Sequence, residues 1–349
     1  MDQLLILAGS FVIILLGAEL FTNGIEWFGR KLELAEGAVG SVLAAVGTAL
    51  PETMIPIIAI GFGTGAATHA VGVGAILGAP FMLATLAMFV TGLAVLSQRK
   101  KRPAGDVMPV DTAVLKTDMG TFGIAYGIAI GAAFLPVEPT WLKLIAAGAL
   151  LVIYILYVKR HFEADATVDV EDLAPLRFRR LDPKSRHLPD APRLRVVNLQ
   201  VLAALGLIII GAVAFVGAVE HVAQSIGVDE LLLALVIAPI ATELPEKFNS
   251  IIWVRQGKDT LAMGNITGAM VFQSAIPTIF ALVFAPEAWT IGEGNYTAFA
   301  SAGIAFASSA FIFIPMARSG VLHGKGLLIG GLFYVSYLAL VISVIMGSS

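Results

Sequence analysis

The chain contains no cysteine, and that gap removes disulfide staples, thiolate metal centres and cysteine nucleophiles together. Charge is scarce as well: 13% of the 349 residues are Asp, Glu, Lys or Arg, against about 25% in an ordinary soluble domain. The five histidines (69, 161, 187, 221 and 323) are scattered, and no His-Glu-x-x-His pair sets two metal ligands on one helix face. No serine stands in a nucleophile elbow. These gaps argue against an intramembrane enzyme, and nothing calls for a prosthetic group. The N-terminus lacks the basic leader and small-residue cleavage site of a signal peptide, so the first apolar run reads as a retained span. A net charge of −3 gives no reason to invoke nucleic acid.

What the chain has in abundance is apolar length. Hydrophobic residues make up 58% of it, in runs of twenty and more. Such runs suit a hydrocarbon core about 30 Å thick, which about 20 helical residues cross. The short alternating segments of a membrane barrel are missing, so helices are expected. Ten candidate spans cover about 3–25, 36–61, 70–97, 118–135, 139–159, 197–221, 229–254, 261–285, 296–316 and 324–346. The expected fold class is therefore all-α and polytopic, with the lipid bilayer as its partner.

Basic residues set the orientation. Arg30 and Lys31 follow the first span, and Arg99 to Arg102 with Lys116 follow the third. Nine more lie between Lys159 and Arg195, then come Arg255, Lys258, Arg318 and Lys325. Twenty of the 22 basic residues thus fall in alternate connections, which the positive-inside rule assigns to the cytoplasm. Only Lys143 falls on the opposite side, and Lys247 lies inside a span. Both termini are then expected outside an inner (plasma) membrane. The long polar stretch 161–196 reads as a solvated cytoplasmic linker; its acidic residues Asp165, Asp169, Glu171 and Asp172 also allow a regulatory calcium site.

The chain repeats itself. At a constant offset of 194, Gly17, Ala18, Phe21, Glu26, Glu36, Ala44, Thr48, Leu50, Pro51 and Glu52 meet identical residues at 211, 212, 215, 220, 230, 238, 242, 244, 245 and 246. Further on, Gly74-Ala-Ile-Leu-Gly78 aligns with Gly264-Asn-Ile-Thr-Gly268. Residues 1–160 and 197–349 would each hold five spans. Five is odd, so the second half must enter the membrane from the other side. That is an inverted repeat, an architecture that places binding sites near the midplane between interrupted helices.

Inside the second span of each half stand Gly47-Thr48-Ala49-Leu50-Pro51-Glu52 and Ala241-Thr242-Glu243-Leu244-Pro245-Glu246. A proline within a helix removes one hydrogen bond and crowds the carbonyl four residues back, here Gly47 or Ala241. Exposed carbonyl oxygens beside a buried carboxylate suit a hard cation such as calcium, which takes six to eight oxygens. Membrane carboxylates are costly and are functional candidates by default, so Glu52 and Glu246 are expected to face each other and share one divalent ion.

These segments resemble the paired alpha-repeats of the calcium/cation antiporter superfamily, which includes the sodium/calcium exchangers. The resemblance implies calcium exchanged for sodium, a central site formed by Thr48, Glu52, Thr242 and Glu246, and access switched by sliding of the first and sixth spans. It extends to departures. Ala49 stands where serine is usual, and its partner position holds Glu243. Ala79 and Ala269 replace serines, while Leu83 and Gln273 replace the Asn or Asp that would complete the site. Glu243 and Gln273 join the candidate ligands.

Glu243 and Lys247, four apart, are close enough to pair. The pair is either structural, or Lys247 is a built-in cation displaced during transport, which would suit proton coupling. Glu19 reads as an ion-path residue or one reaching for the cytoplasmic face; Glu26 and Glu220 as entrance guards or capping residues; Asn265 as a tie for a kinked helix. A proton-coupled divalent exchanger of the same fold, or a cation channel, are the alternative functions. The partners expected are inorganic cations, and no feature demands a protein subunit.

Overall fold

The computed structural model describes residues 2–31, 49–63, 65–163, 174–181, 192–243, 247, 250–251, 253–255, 257–292 and 295–348. Helix appears in each expected stretch. The first half contains α1 (Asp2–Lys31), α2 (Leu50–Gly61), α3 (Ala66–Met82), α4 (Met88–Gln98), α5 (Thr112–Ala132) and α6 (Trp141–Glu163). The second contains α7 (Leu194–Ile226), α8 (Glu230–Thr242), α9 (Asp259–Phe284), α10 (Tyr296–Ser319), the short α11 (Gly324–Leu327) and α12 (Ile329–Ser348). Seven helical stretches among the described residues are long and apolar enough to cross a membrane. α5, which carries Lys116 and Asp118, is not one of them, and α2 and α8 are shorter, at 12 and 13 residues. The acidic cluster of the linker falls outside the described residues.

Local chemistry explains the helix ends. Asp111 caps α5, its carboxylate accepting from Ala113 N at 2.8 Å and Val114 N at 3.2 Å. α7 stops at Gly227 and α10 at Gly320, with φ of 68° and 73°, the left-handed conformation that glycine adopts without strain. α3 continues into α4 through a π-helical turn, Leu83–Ala87, three residues beyond Pro80. Two hydroxyls serve the carbonyls of this region: Thr85 donates to Phe81 O at 2.6 Å, and Ser308 of α10 donates to Ala84 O at 2.6 Å. In lipid, such freed carbonyls must find partners inside the protein.

α3–α4 and α9 form the centre, 83% and 78% buried over their apolar windows, whereas α6 and α12 lie at the edge with 28% and 22%. α1 packs along α7, and their closest approach is reciprocal. A Cβ built on Gly17 would meet Ile208 Cγ1 at 2.8 Å and Ala204 O at 3.2 Å. One built on Gly211 would meet Ile14 Cγ1 at 2.6 Å and Ser10 O at 3.2 Å. Each pair is the other shifted by the 194-residue offset, and the contacts run antiparallel.

Polar ties between connections fall into two sets among the described residues. In one, Thr68 donates to Glu220 at 3.2 Å, and Ile291 N donates to Ala133 O at 3.0 Å. To these is added Lys143, fully buried, whose Nζ donates to Pro286 O (2.6 Å), Trp289 O (2.8 Å) and Thr290 Oγ1 (2.6 Å).

In the other set, Arg102 pairs with buried Asp259 and donates to Val254 O at 2.8 Å, while Asp111 N donates to Thr260 Oγ1 at 2.9 Å. A two-residue antiparallel ribbon, β1 (Val107–Met108) with β2 (Leu322–His323), joins two more connections. Beside it Lys325 sits 3.2 Å from Asp106, and its hydrogen bond holds that carboxyl below the ordinary carboxylate range. The linker also docks. Asn23 and Trp27 of α1 both donate to Ala174 O, at 3.1 and 2.9 Å, and Gln200 of α7 accepts from Phe178 N at 2.8 Å.

Candidate cation-binding site

The helix that carries Glu52 begins at the motif. Ala49 is a bend, α2 starts at Leu50, and Pro51 occupies the first turn. The expectation of a proline within the helix is corrected here: at this position its missing N–H costs no hydrogen bond, because the first N–H groups of a helix have no intrahelical partner. Glu52 is then an acid in the first turn, where the positive end of the helix dipole favours a carboxylate. It is only 4% exposed.

The carbonyl just before that helix is a junction. Ala49 O accepts from Thr53 N at 3.3 Å, from Thr53 Oγ1 at 2.8 Å and from Gln273 Nε2 of α9 at 3.1 Å. Gln273, 2% exposed, therefore reaches the residue three before Glu52. With its nitrogen committed to Ala49, the amide oxygen is the donor Gln273 can offer a cation. The sequence marked Gln273 as a replacement, but its link to Ala49 spans 224 positions and carries no local signal.

In the second half α8 ends at Thr242, inside the equivalent motif. Glu243, 1% exposed, accepts from Lys247 Nζ at 3.0 Å through Oε2, while Oε1 has no hydrogen-bond partner among the described residues. The pairing expected from four-residue spacing is present. Under the 194 offset, Glu243 and Lys247 occupy the places of Ala49 and Thr53. One half thus closes its motif with a hydroxyl–carbonyl bond, and the other with a buried ion pair.

Thr48 and Glu246 lie outside the described residues, as does the side chain of Thr242, so the expected face-to-face placement of Glu52 and Glu246 does too. Of the six candidate ligands, Glu52, Glu243 and Gln273 are placed, all buried. Among the described residues no three His, Asp or Glu side chains converge on one point. Glu19 is exposed and pairs with Arg177 of the linker at 2.6 Å. Glu220 accepts from Thr68, and the buried amide of Asn265 makes no hydrogen bond among the described residues. Glu26 has no described side chain.

One buried polar cluster was not anticipated. Asp118 of α5 contacts Tyr157 and His161 of α6 and Thr267 of α9. The available signal was an acid at the start of the fourth apolar run.

Carboxylate, amide and carbonyl oxygens on interrupted apolar helices can bind and release a hard cation. A family profile described as "Sodium/calcium exchanger protein" matches residues 3–160 and 197–346. The chain belongs to that family. Among proteins similar to this chain is the curated "Putative antiporter CaxA" of Alkalimonas amylolytica, 26% identical over 302 residues, 84% of this chain and 85% of that one. Two solved structures share the fold. The H+/Ca2+ exchanger CAX superposes with a TM-score of 0.73 at 17% identity, over 96% of this chain and 82% of its own. The sodium-calcium exchanger NCX_Mj superposes with a TM-score of 0.57 at 16% identity, over 97% and 98%. The chain is an antiporter-family membrane protein, a class of transporters rather than enzymes.

Proposed function

We propose that this family member is a secondary-active antiporter that exchanges calcium, or a similar hard cation, for sodium by alternating access at a site near the bilayer midplane. The observation that carries the reading is Glu52: a carboxylate 4% exposed, in the first turn of a helix that starts within an apolar bundle. It has Gln273 bound one turn away. Thr48, Thr242, Glu243 and Glu246 complete the proposed ligand set.

The architecture proposed is ten spans in two inverted halves, 1–160 and 197–349, joined by a cytoplasmic linker at 161–196, in an inner membrane with both termini outside. Two observations support it. Counting ten crossings puts both members of every polar tie between connections on the same membrane face: Thr68 with Glu220, Lys143 with 286–290, Arg102 with Asp259, Asn23 with Ala174. The reciprocal, antiparallel contacts of Gly17 and Gly211 support it, since an inverting pseudo-twofold between the halves would produce such a pair.

Proton coupling is the second reading, favoured by the motif's own chemistry. Hydroxyl ligands are missing at Ala79 and Ala269, and Leu83 offers no oxygen, while Lys247 supplies an internal cation to Glu243. Calcium tracer uptake into proteoliposomes, under an imposed sodium or proton gradient, separates the readings. Uphill uptake driven by one gradient and lost in Glu52→Gln is the expected result. Downhill flux alone would identify a channel, and full uptake by Glu52→Gln would remove the site.

A further inference from the structure

The Asp118 cluster plays no part in that reading: Asp118 and His161 stand on α5 and α6, and only its Thr267 shares a helix, α9, with a candidate ligand. Asp118 and His161 have side chains only 2% and 9% exposed, with His161 Nε2 at 3.0 Å from Asp118 Oδ1. Tyr157 OH donates to the same Oδ1 at 3.0 Å, and Thr267 Oγ1, with one hydrogen to give, lies 2.6 Å from Oδ2 and 3.0 Å from Met263 O. The other ring nitrogen, His161 Nδ1, lies 3.2 Å from Tyr157 O.

Counting hydrogens makes this cluster unusual. Both ring nitrogens face oxygens, one of a carbonyl and one of a carboxyl group, and a carbonyl oxygen only accepts. A neutral imidazole has one N–H and an ionised carboxylate has none. The two contacts are satisfied together only if the pair holds one more proton, either on the ring or on Asp118. Which of the two carries it is a question of tautomer; that the geometry has room for it is not.

We propose that Asp118 and His161 form a proton-binding site, separate from the central cation site, that exchanges one proton with the linker side and passes its charge state to α9 through Thr267. Loss of that proton to water turns a neutral pair into a single buried negative charge, which the Tyr157 and Thr267 hydroxyls alone must then stabilise. Arg160 on α6 is the other charged group bearing on the ring; Tyr154 packs on Tyr157 rather than on His161, and from α9 the Thr267 hydroxyl faces Asp118.

Two packed routes lead from the pair towards the central site. Thr267 and Gln273 share α9, separated by about 9 Å of helix. A ladder of rings runs His161–Tyr157 (4.4 Å), Tyr157–Tyr154 (6.1 Å) and Tyr154–Phe272 (5.6 Å), ending one residue before Gln273.

The test uses the full chain, labelled with ¹⁵N-histidine, in detergent micelles. His161→Gln assigns the His161 signals. The expected result is a set of His161 ring signals that shift with one midpoint between about pH 5 and 9 as the pair gives up its proton, with Asp118→Asn weakening proton affinity about tenfold or more. Thr267→Val removes one hydroxyl and no charge, and it should move the same midpoint even if Asp118→Asn fails to fold. In proteoliposomes with pH varied on the linker side only, calcium uptake should lose one titration in His161→Gln. His161 ring signals that do not move with pH, or an uptake profile unaltered in His161→Gln, mark a static pair and overturn the proposal. The resonance measurement needs no transported ion, so a chain that fails to move calcium would count against the antiporter reading and leave the proton site standing.

Discussion

A single methyl group at Gly17 tests whether α1 and α7 pack as a mirrored pair. The new Cβ would sit 2.8 Å from Ile208 Cγ1, 3.1 Å from Ile208 N and 3.2 Å from Ala204 O. Carbon atoms rest about 3.5–4.0 Å apart, and two of the three obstacles are backbone atoms that no rotamer change removes. Relief therefore needs the helices to part, at a cost of about 1–3 kcal/mol. Replacing glycine by alanine in a helix returns about 1 kcal/mol, which leaves a net loss of up to about 2 kcal/mol. Gly217, on the same α7, has nothing within 4 Å of its virtual Cβ, so Gly217→Ala should stabilise instead. The assay is reversible unfolding in mixed micelles, with Gly17→Ala, Gly211→Ala and Gly217→Ala side by side. Ile208→Ala should recover part of the Gly17→Ala loss, and Ile14→Ala part of the Gly211→Ala loss. If Gly17→Ala and Gly211→Ala behave like Gly217→Ala, or if only one of them is penalised, the reciprocal packing is wrong.

Two further substitutions probe the buried cations. Lys143→Met leaves Trp289 O and Thr290 Oγ1 without their donor and Pro286 O with the Thr290 hydroxyl alone, which should cost about 3 kcal/mol, read as a lower midpoint in the same unfolding assay. Lys247→Ala strands the Glu243 charge and should cost about 3–5 kcal/mol; adding Glu243→Gln should restore most of it, and no recovery would mean that the pair contributes through packing rather than charge.

The frame was legible because it is periodic. Apolar runs mark the stretches in which the long helices form, and the 194-residue offset brings Gly17 and Gly211 into register before any contact is known. The Glu243–Lys247 pair was legible too, since four residues on a helix bring two side chains together. What the chain hides is long-range partnership. Lys143 reads as a stray charge, yet it is fully buried against a connection more than 140 positions away. Gln273 reads as a candidate ligand, but nothing in the sequence shows that its amide nitrogen holds the start of α2. Asp118 is visible as an acid, but nothing near it in sequence names His161 or Thr267. The π-helical turn and the β1–β2 ribbon are likewise set by neighbours from the other half.

The unequal motifs have a consequence for how such a protein idles. Were its halves the same in sequence, turning inside out would exchange their roles and leave the energy untouched, so the empty carrier would open as often to one compartment as to the other. Alanine and threonine at 49 and 53, against glutamate and lysine at 243 and 247, remove that degeneracy. In the proposed alternating-access antiporter, a salt bridge held by one half alone would give the unloaded protein a preferred resting direction.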